Sequence, residues 1–357
     1  MAFDPESFLE TAVQTPSTED VSAMRELLVS TIEAEGFGVR VDDAGNTIST
    51  RDGDEPGPHV VLNTHIDTVP PHVEFSRDGD IIRGRGSCDA KGPLTALLVA
   101  FFNTNVVRGK LTLAITPDEE VLSLGAAALD ISADAYIVGE PTNLDVCNAA
   151  KGRFEGTITV HGDNAHAAEP QSGKNAVTGA GQVLRALDTF LERDDAPPVH
   201  PELGAATLTP TMIDGGTASN QVPAECRITV DRRSVPPETA DSFTTSLEAH
   251  LREHVPDFEC TFALTERPTP FLEAFETDDD GKLAQTLAAA SGGDICPFSA
   301  ATEASYFAAD APTVVFGPGV LADDEGAVAH APREYVRFSE VEAAGAAITE
   351  TVASFLS

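Results

Sequence analysis

Five short segments carry side chains able to bind or activate a divalent metal. Thr64-His65-Ile66-Asp67-Thr68-Val69-Pro70 follows the apolar run at 60–63. In extended chain, residues i and i+2 share a face, so His65 and Asp67 point together. An imidazole that binds a metal through one nitrogen needs a partner on the other, and a carboxylate two residues on can supply it. Asp89 lies in the glycine-punctuated loop Gly84-Arg85-Gly86-Ser87-Cys88-Asp89-Ala90-Lys91-Gly92-Pro93, ahead of an apolar helix. Asp118, Glu119 and Glu120 follow the run at 111–115, and Glu140 follows the run at 135–138 within Gly139-Glu140-Pro141-Thr142. His330-Ala331-Pro332-Arg333-Glu334-Tyr335 precedes the last helix. Alone, each has a plainer explanation: Asp89 as a helix N-cap, the three acids as a solvated turn, the His65–Asp67 pair as chance. Jointly, three of them follow predicted strands, where α/β folds build their sites. A phosphate cradle is not indicated, because the Gly-x-x-x-x-Gly-Lys-Ser/Thr spacing is absent.

Buried strands and helices must hold these segments in place. Residues 58–63, 111–116 and 135–138 read as strands buried on both faces. Residues 5–13 and 18–36 read as helices, with cap chemistry in Ser17-Thr18-Glu19-Asp20 and a stop at Gly36. Residues 93–102 read as an apolar helix with Pro93 at its first position. Strands alternating with helices predict an α/β sheet covered on both sides. The middle of the chain differs: strands at 153–161, 206–213, 224–231 and 258–264 with helices at 175–193 and 237–254 give the β-α-β-β-α-β order of a ferredoxin-like unit. The α/β style then resumes with a helix at 281–291, a strand at 312–316 and a helix at 339–355. The expected organisation is a catalytic domain of residues 1–152 and 268–357, interrupted by an inserted α+β domain of residues 153–267.

Composition narrows the partners. The 357 residues include 58 acidic and 22 basic side chains, a formal charge of −36. A field of that sign repels phosphate backbones and anionic lipid, so no nucleic-acid or membrane partner is expected. No apolar run reaches the roughly 18 residues of a membrane span. The first residues lack a basic and apolar leader pattern, so a cytoplasmic protein is expected. Self-repulsion on this scale destabilises a compact chain unless salt screens it, which predicts a high-salt, halophilic cytoplasm. The five cysteines are scattered with no Cys-x-x-Cys pair, and read as reduced thiols, mostly buried small residues.

In this order, His65 to Pro70, Gly84 to Gly92, Glu119-Glu120, Gly139 to Thr142 and His330 to Tyr335 resemble the motifs of the dinuclear zinc aminoacylase and carboxypeptidase family. That family includes acetylornithine deacetylase, succinyl-diaminopimelate desuccinylase and glutamate carboxypeptidase, and the resemblance spans essentially the whole chain. It implies a zinc-peptidase-like catalytic domain with a mixed sheet flanked by helices, and a lid and dimerisation role for the inserted domain. It implies two Zn²⁺ (or Co²⁺ or Mn²⁺) per chain, with His65 and Glu140 on one, Glu120 and His330 on the other, and Asp89 between them. Asp67 would orient His65, and Glu119 would be the general base for a metal-bridging hydroxide. In the lid, His166 of Gly162-Asp163-Asn164-Ala165-His166-Ala167 would contribute to the oxyanion site of the partner subunit, although Ala167 stands where a small hydroxyl residue is usual. Asn220 would face the substrate. Arg233 of Asp231-Arg232-Arg233-Ser234-Val235-Pro236 would grip its carboxylate, a task that suits a planar guanidinium.

The function so implied is metal-dependent hydrolysis of an amide, removing a succinyl or acetyl group from an N-acylated amino acid in lysine or arginine biosynthesis. A dipeptidase, a glutamate carboxypeptidase, or a deacylase of carrier-protein-linked lysine or ornithine are the alternatives. The implied partners are a small N-acyl amino acid and a second copy of the chain, joined through the lid. His59, His72, His161, His200, His250 and His254 match no constellation. His250 and His254, four apart on a predicted helix, are expected on a solvated face.

Overall fold

The computed structural model describes residues 3–278 and 281–357, so Met1 and Ala2 of the leader reading lie outside the described residues. The chain forms two compact units, one of Met1–Ala149, Glu276–Phe298 and Thr302–Ser357, the other of Ala150–Phe275 with Ser299–Ala301.

The first unit is built on a mixed sheet. Glu55–His65 lies between Arg108–Thr116 and Ala135–Val138 and runs parallel to both. Thr313–Val315 extends the parallel part beside Ala135–Val138, and Thr47–Asp52 pairs antiparallel with Arg108–Thr116. Leu62, Leu113, Ile137 and Val314 are fully buried, as expected of strands covered on both faces. Among the covering helices, Lys91–Asn103 is apolar nearly all round, which a helix can be only when packed on several sides. Pro5–Gln14 is capped by Asp4, whose carboxylate accepts the Ser7 N–H. The second helix is shorter than its periodicity predicts, running Ser22–Ala34, because Asp20 takes the Ser22 N–H and hydroxyl and holds 17–21 as a loop. A small antiparallel sheet of Ser76–Asp78, Ile81–Arg83 and Tyr335–Arg337 joins the segment before Asp89 to the segment after His330.

The second unit has the ferredoxin-like arrangement. Its strands lie in the spatial order Thr207–Gly215, Glu225–Ser234, Gly152–His161, Glu259–Leu264, all antiparallel. The alternation that predicted the strand at 153–161 is realised as burial of Phe154, Ile158 and Val160. Helix Ala176–Asp188 starts at Asn175, which accepts the Val177 and Thr178 N–H groups. Helix Ala240–His254 starts in a capping box between Thr239 and Ser242. His250 corrects the sequence expectation. It is 3% exposed, its Nε2 donates to the Ala186 carbonyl at 2.7 Å, and its ring packs against Phe190 and His254. Helical spacing alone could not tell which face of that helix meets its neighbour.

Candidate active site

The parallel register creates the site. His65 pairs with Thr116 and Asn63 with Val138, so the chain leaves all three strands at the same edge. The exits carry His65 to Asp67, Pro117 to Glu120, and Glu140. Pairing of Val336 with Ile82 brings the Gly84–Ala90 loop alongside the His330–Glu334 turn. Five segments distant in sequence therefore meet at the carboxyl ends of the strands.

Asp89 is buried, and its two oxygens face different imidazoles. Oδ1 lies 3.2 Å from His65 Nε2, and Oδ2 lies 3.1 Å from His330 Nε2. His330 Nε2 is also 2.9 Å from Glu120 Oε1. His65 Nδ1 lies 3.0 Å from the Asp67 carbonyl and 3.1 Å from Asp67 Oδ1. With only acceptors beside Nδ1, that nitrogen carries a proton, and Nε2 is the atom a cation would take. Without a cation, burial works against a charged ring, but the hydrogen bonds to Asp67 and Asp89 outweigh it and raise the His65 pKa well above its ordinary value. Asp67 also accepts the Glu119 N–H on Oδ1 and the Glu120 N–H on Oδ2, both at 3.0 Å. One carboxylate thus orients His65 and fixes the backbone of both glutamates. Glu140 Oε1 accepts from Thr302 Oγ1 at 3.1 Å.

The electrostatics are those of a site short of positive charge. Burial pushes the Glu119 carboxyl well above its ordinary pKa, and the nearby Glu140 adds to the shift. Burial does the same to Glu140, with Asp89 adding to it. Burial also works against ionised Asp89, but the imidazoles of His330 and His65 outweigh it and hold its pKa below the usual range. Hydrogen bonds to Asp89 and Glu120 push His330 up to about 10. Asp67, Asp89, Glu140 and Glu303 are buried, Glu119 and Glu120 are half-buried, and among the described residues the imidazoles of His65 and His330 face them. His65, Asp89 and Glu120 each offer a donor atom within 4.8 Å of the others. This donor set suits divalent cations, whose charge offsets the repulsion among crowded carboxylates.

All seven catalytic-domain residues singled out from the sequence, His65, Asp67, Asp89, Glu119, Glu120, Glu140 and His330, belong to this cluster. In the inserted unit, His166 and Asn220 come together: the Ala167 N–H donates to the Asn220 carbonyl at 2.9 Å, and His166 pairs with Gln221 across a short ladder. Arg233 sits apart from them. Strand Glu225–Ser234 places Glu225 opposite His161 and Arg233 opposite Arg153, roughly 25 Å apart at about 3.3 Å per residue. The Arg233 Nε donates to Asp231 Oδ1 at 2.8 Å. Arg232 points to the other face and forks onto Glu238 with two 2.8 Å bonds. Cys88 is fully buried, and burial pushes its thiol far above the range of a usable nucleophile.

Three charged residues of the site escaped the sequence reading. Glu334 Oε1 accepts the backbone N–H groups of Cys88 and Asp89, both at 3.1 Å, and Arg85 pairs with its other oxygen. Both lie inside segments already singled out, but only the folded contact reveals their work. Glu303 is fully buried, and burial pushes its carboxyl up to about 7. It stands in Ala301-Thr302-Glu303-Ala304, which carries no spacing signal; a lone acid among small residues was the only hint.

Comparison with known proteins agrees with this architecture. Residues 148–259 match the peptidase dimerisation domain of the M20 family. An acetylornithine deacetylase from Myxococcus xanthus is 32% identical over 349 residues, covering 91% of this chain and 90% of that protein. A putative LysW-lysine/LysW-ornithine hydrolase from Pyrobaculum aerophilum is 36% identical over 221 residues, 60% of this chain and 61% of that protein. A dinuclear metal-binding peptidase of the M20 family from Bacillus subtilis superposes with a TM-score of 0.75 at 13% identity, covering 99% of this chain and 97% of that one.

Proposed function

Because the chain belongs to the M20 peptidase family and is an amide-bond hydrolase of its metal-dependent deacylase type, we propose that it frees the amine of an N-acylated amino acid of the ornithine or lysine kind. The observation that carries the site assignment is Asp89, with one oxygen toward His65 and the other toward His330. His65 and Glu140 would hold one cation, Glu120 and His330 a second, and Asp89 would serve both. Two divalent ions so held would polarise the scissile carbonyl and acidify a water molecule. Zinc is the first choice, with cobalt or manganese as substitutes, since imidazole and carboxylate donors accept all three.

The chain's own residues supply the remaining chemistry. Asp67 keeps the His65 proton on Nδ1 and ties down the Glu119 and Glu120 amides. Glu119, raised in pKa by burial, takes a proton from the attacking water and returns it to the leaving amine. His166 would donate a hydrogen bond to the developing oxyanion, Asn220 would face the substrate, and Arg233 would grip its carboxylate. Residues 153–267 would act as lid and dimerisation domain in a homodimer. The edge strand Thr207–Gly215, with Met212 and Ile213 exposed, offers an unpaired ladder for that contact. Among the described residues no helix is long and apolar enough to cross a membrane, and we place the enzyme in the cytoplasm.

The test is amine release in molar salt with Zn²⁺ or Co²⁺ from N-acetylornithine, N-succinyl-diaminopimelate and a dipeptide panel. A clear preference for one acyl amino acid is expected. Turnover of dipeptides alone would replace the deacylase reading with a peptidase. Silence on every small substrate would favour a carrier-linked lysine or ornithine, the second reading suggested by the Pyrobaculum relative.

A further inference from the structure

We propose that Glu303 is a positioning residue of the metal centre, a buried carboxylate outside the ligand set whose negative charge raises the affinity for the cation that His65 and Glu140 would hold. The inference rests on the metal-hydrolase reading above.

Glu303 is 0% exposed, a placement that carboxylates take rarely without a compensating charge. The groups whose fields act on it include His65 and Asp67, and its own field acts on Glu119 and Glu140. It therefore belongs to the cluster without being one of the assigned ligands. Its Oε1 accepts from Thr116 Oγ1 at 2.7 Å. Thr116 ends the strand that delivers Glu119 and Glu120. Its Oε2 is buried with no hydrogen-bond partner among the described residues. The preceding residue, Thr302, donates to Glu140 Oε1, so the dipeptide commits one oxygen of a ligand and places a negative charge behind it.

A buried carboxylate, even with the Thr116 hydroxyl and the Asn63 side chain beside it, opposes folding of the metal-free chain. With a cation beside it, the same charge becomes attractive through a medium of low dielectric. Removing the charge while keeping the volume should therefore move two quantities in opposite directions: the metal-free fold gains resistance to unfolding, and the cation binds less tightly. A merely structural role for Glu303 would lower both.

The experiment uses the full chain stripped of metal, as wild type, Glu303→Gln and Glu303→Met. Each protein is unfolded in urea and titrated with Co²⁺, followed by calorimetry and by visible absorption. The wild type is expected to bind two ions. Both variants should show a higher urea midpoint without metal, weaker binding of one Co²⁺ by about 10- to 100-fold, and an altered absorption band for that ion. Wild-type affinity at both positions in a folded variant would overturn the role of Glu303 and leave the metal reading standing. A fall in the metal-free midpoint, or failure of both variants to fold, would overturn it in favour of a structural role. A wild-type protein that binds no Co²⁺ would overturn both readings.

Discussion

Arg85 and Glu334 are 249 positions apart in the chain and form an ion pair within the buried wall of the site, Nη1 to Oε2 at 2.5 Å. Both side chains are almost completely sealed from solvent. Glu334 also receives the amides of Cys88 and Asp89, while Arg85 donates to the His330 carbonyl at 3.1 Å and the Pro71 carbonyl at 3.1 Å. The pair thus fixes the loop carrying Asp89 to the turn carrying His330. Truncating one partner strands the other as a buried charge. Glu334→Gln should cost about 3–5 kcal/mol, read as a lower urea midpoint, and should loosen metal binding as Asp89 and His330 lose their common anchor. An unchanged midpoint would show that the pair does not hold the two loops.

Glu119 is fixed through its backbone by Asp67, so its side chain can be altered without moving the rest of the cluster. Glu119→Gln keeps size and polarity but cannot take a proton. The expected outcome is a loss of kcat of at least about 100-fold, with metal content per chain unchanged by elemental analysis. Undiminished turnover would remove Glu119 from the role of base. Loss of metal together with activity would move it into the ligand set.

Much of this site could be read before folding, and the reason is local. Strand ends, turn glycines and ligand-type side chains lie close together in sequence at His65–Asp67, Glu119–Glu120 and Gly139–Glu140, and a parallel sheet turns such strand ends into one edge. What could not be read is whatever depends on contact between distant segments. Arg85 with Glu334, Thr302 with Glu140 and Thr116 with Glu303 have no spacing rule. The ferredoxin-like unit was legible from its order of elements, since alternation at 153–161 is a short-range signal. The burial of His250 was not, because it depends on which carbonyl of Ala176–Asp188 the second helix meets.

His166 offers a test of shared sites. It is exposed, and its Nδ1 accepts the Ala168 N–H at 3.1 Å, which leaves the proton of a neutral ring on Nε2 as an outward donor. Within one inserted unit, His166 pairs with Gln221, just before the strand Glu225–Ser234 that carries Arg233 near its far end, so the proposal that one small substrate meets both calls on two copies of the chain. His166→Ala should lower kcat by about 100-fold, the scale of one lost oxyanion donor, with metal content preserved. Mixed with an inactive His65→Ala chain, it should regain part of the activity as heterodimers form. No recovery after subunit exchange would place His166 in the site of its own chain.

The charge of −36 sets a dependence on salt. At roughly 0.01 M ionic strength the screening length is about 30 Å, and at about 1 M it shrinks to about 3 Å. Unscreened repulsion should leave the metal-free chain partly or wholly unfolded at the lower value, with folding recovered in molar KCl as followed by circular dichroism. A native spectrum and unchanged urea midpoint in ~10 mM salt without metal would rule out the high-salt expectation drawn from the charge.

His250 predicts how the inserted unit responds to acid. Burial lowers its pKa from the ordinary value of 6.5, with His254 and Arg193 adding to the shift and the Ala186 carbonyl and Glu253 opposing it. The unfolded chain therefore binds a proton that the folded chain refuses, and it does so as pH falls through about 6.5. The stability contributed by the neutral ring is present above that value and is lost as pH drops toward the folded pKa. Carboxylates elsewhere also titrate on the way down, so the informative quantity is a difference between two proteins. His250→Gln retains an N–H that can reach the Ala186 carbonyl but has no proton to gain. Hydrogen exchange on the full chain in molar salt, read at the amides of Ala240–His254 near pH 7.5 and near pH 5.5, should show protection falling more steeply with acid in the wild type than in the variant. Equal slopes would mean that His250 is protonated in the folded unit as readily as in the unfolded chain.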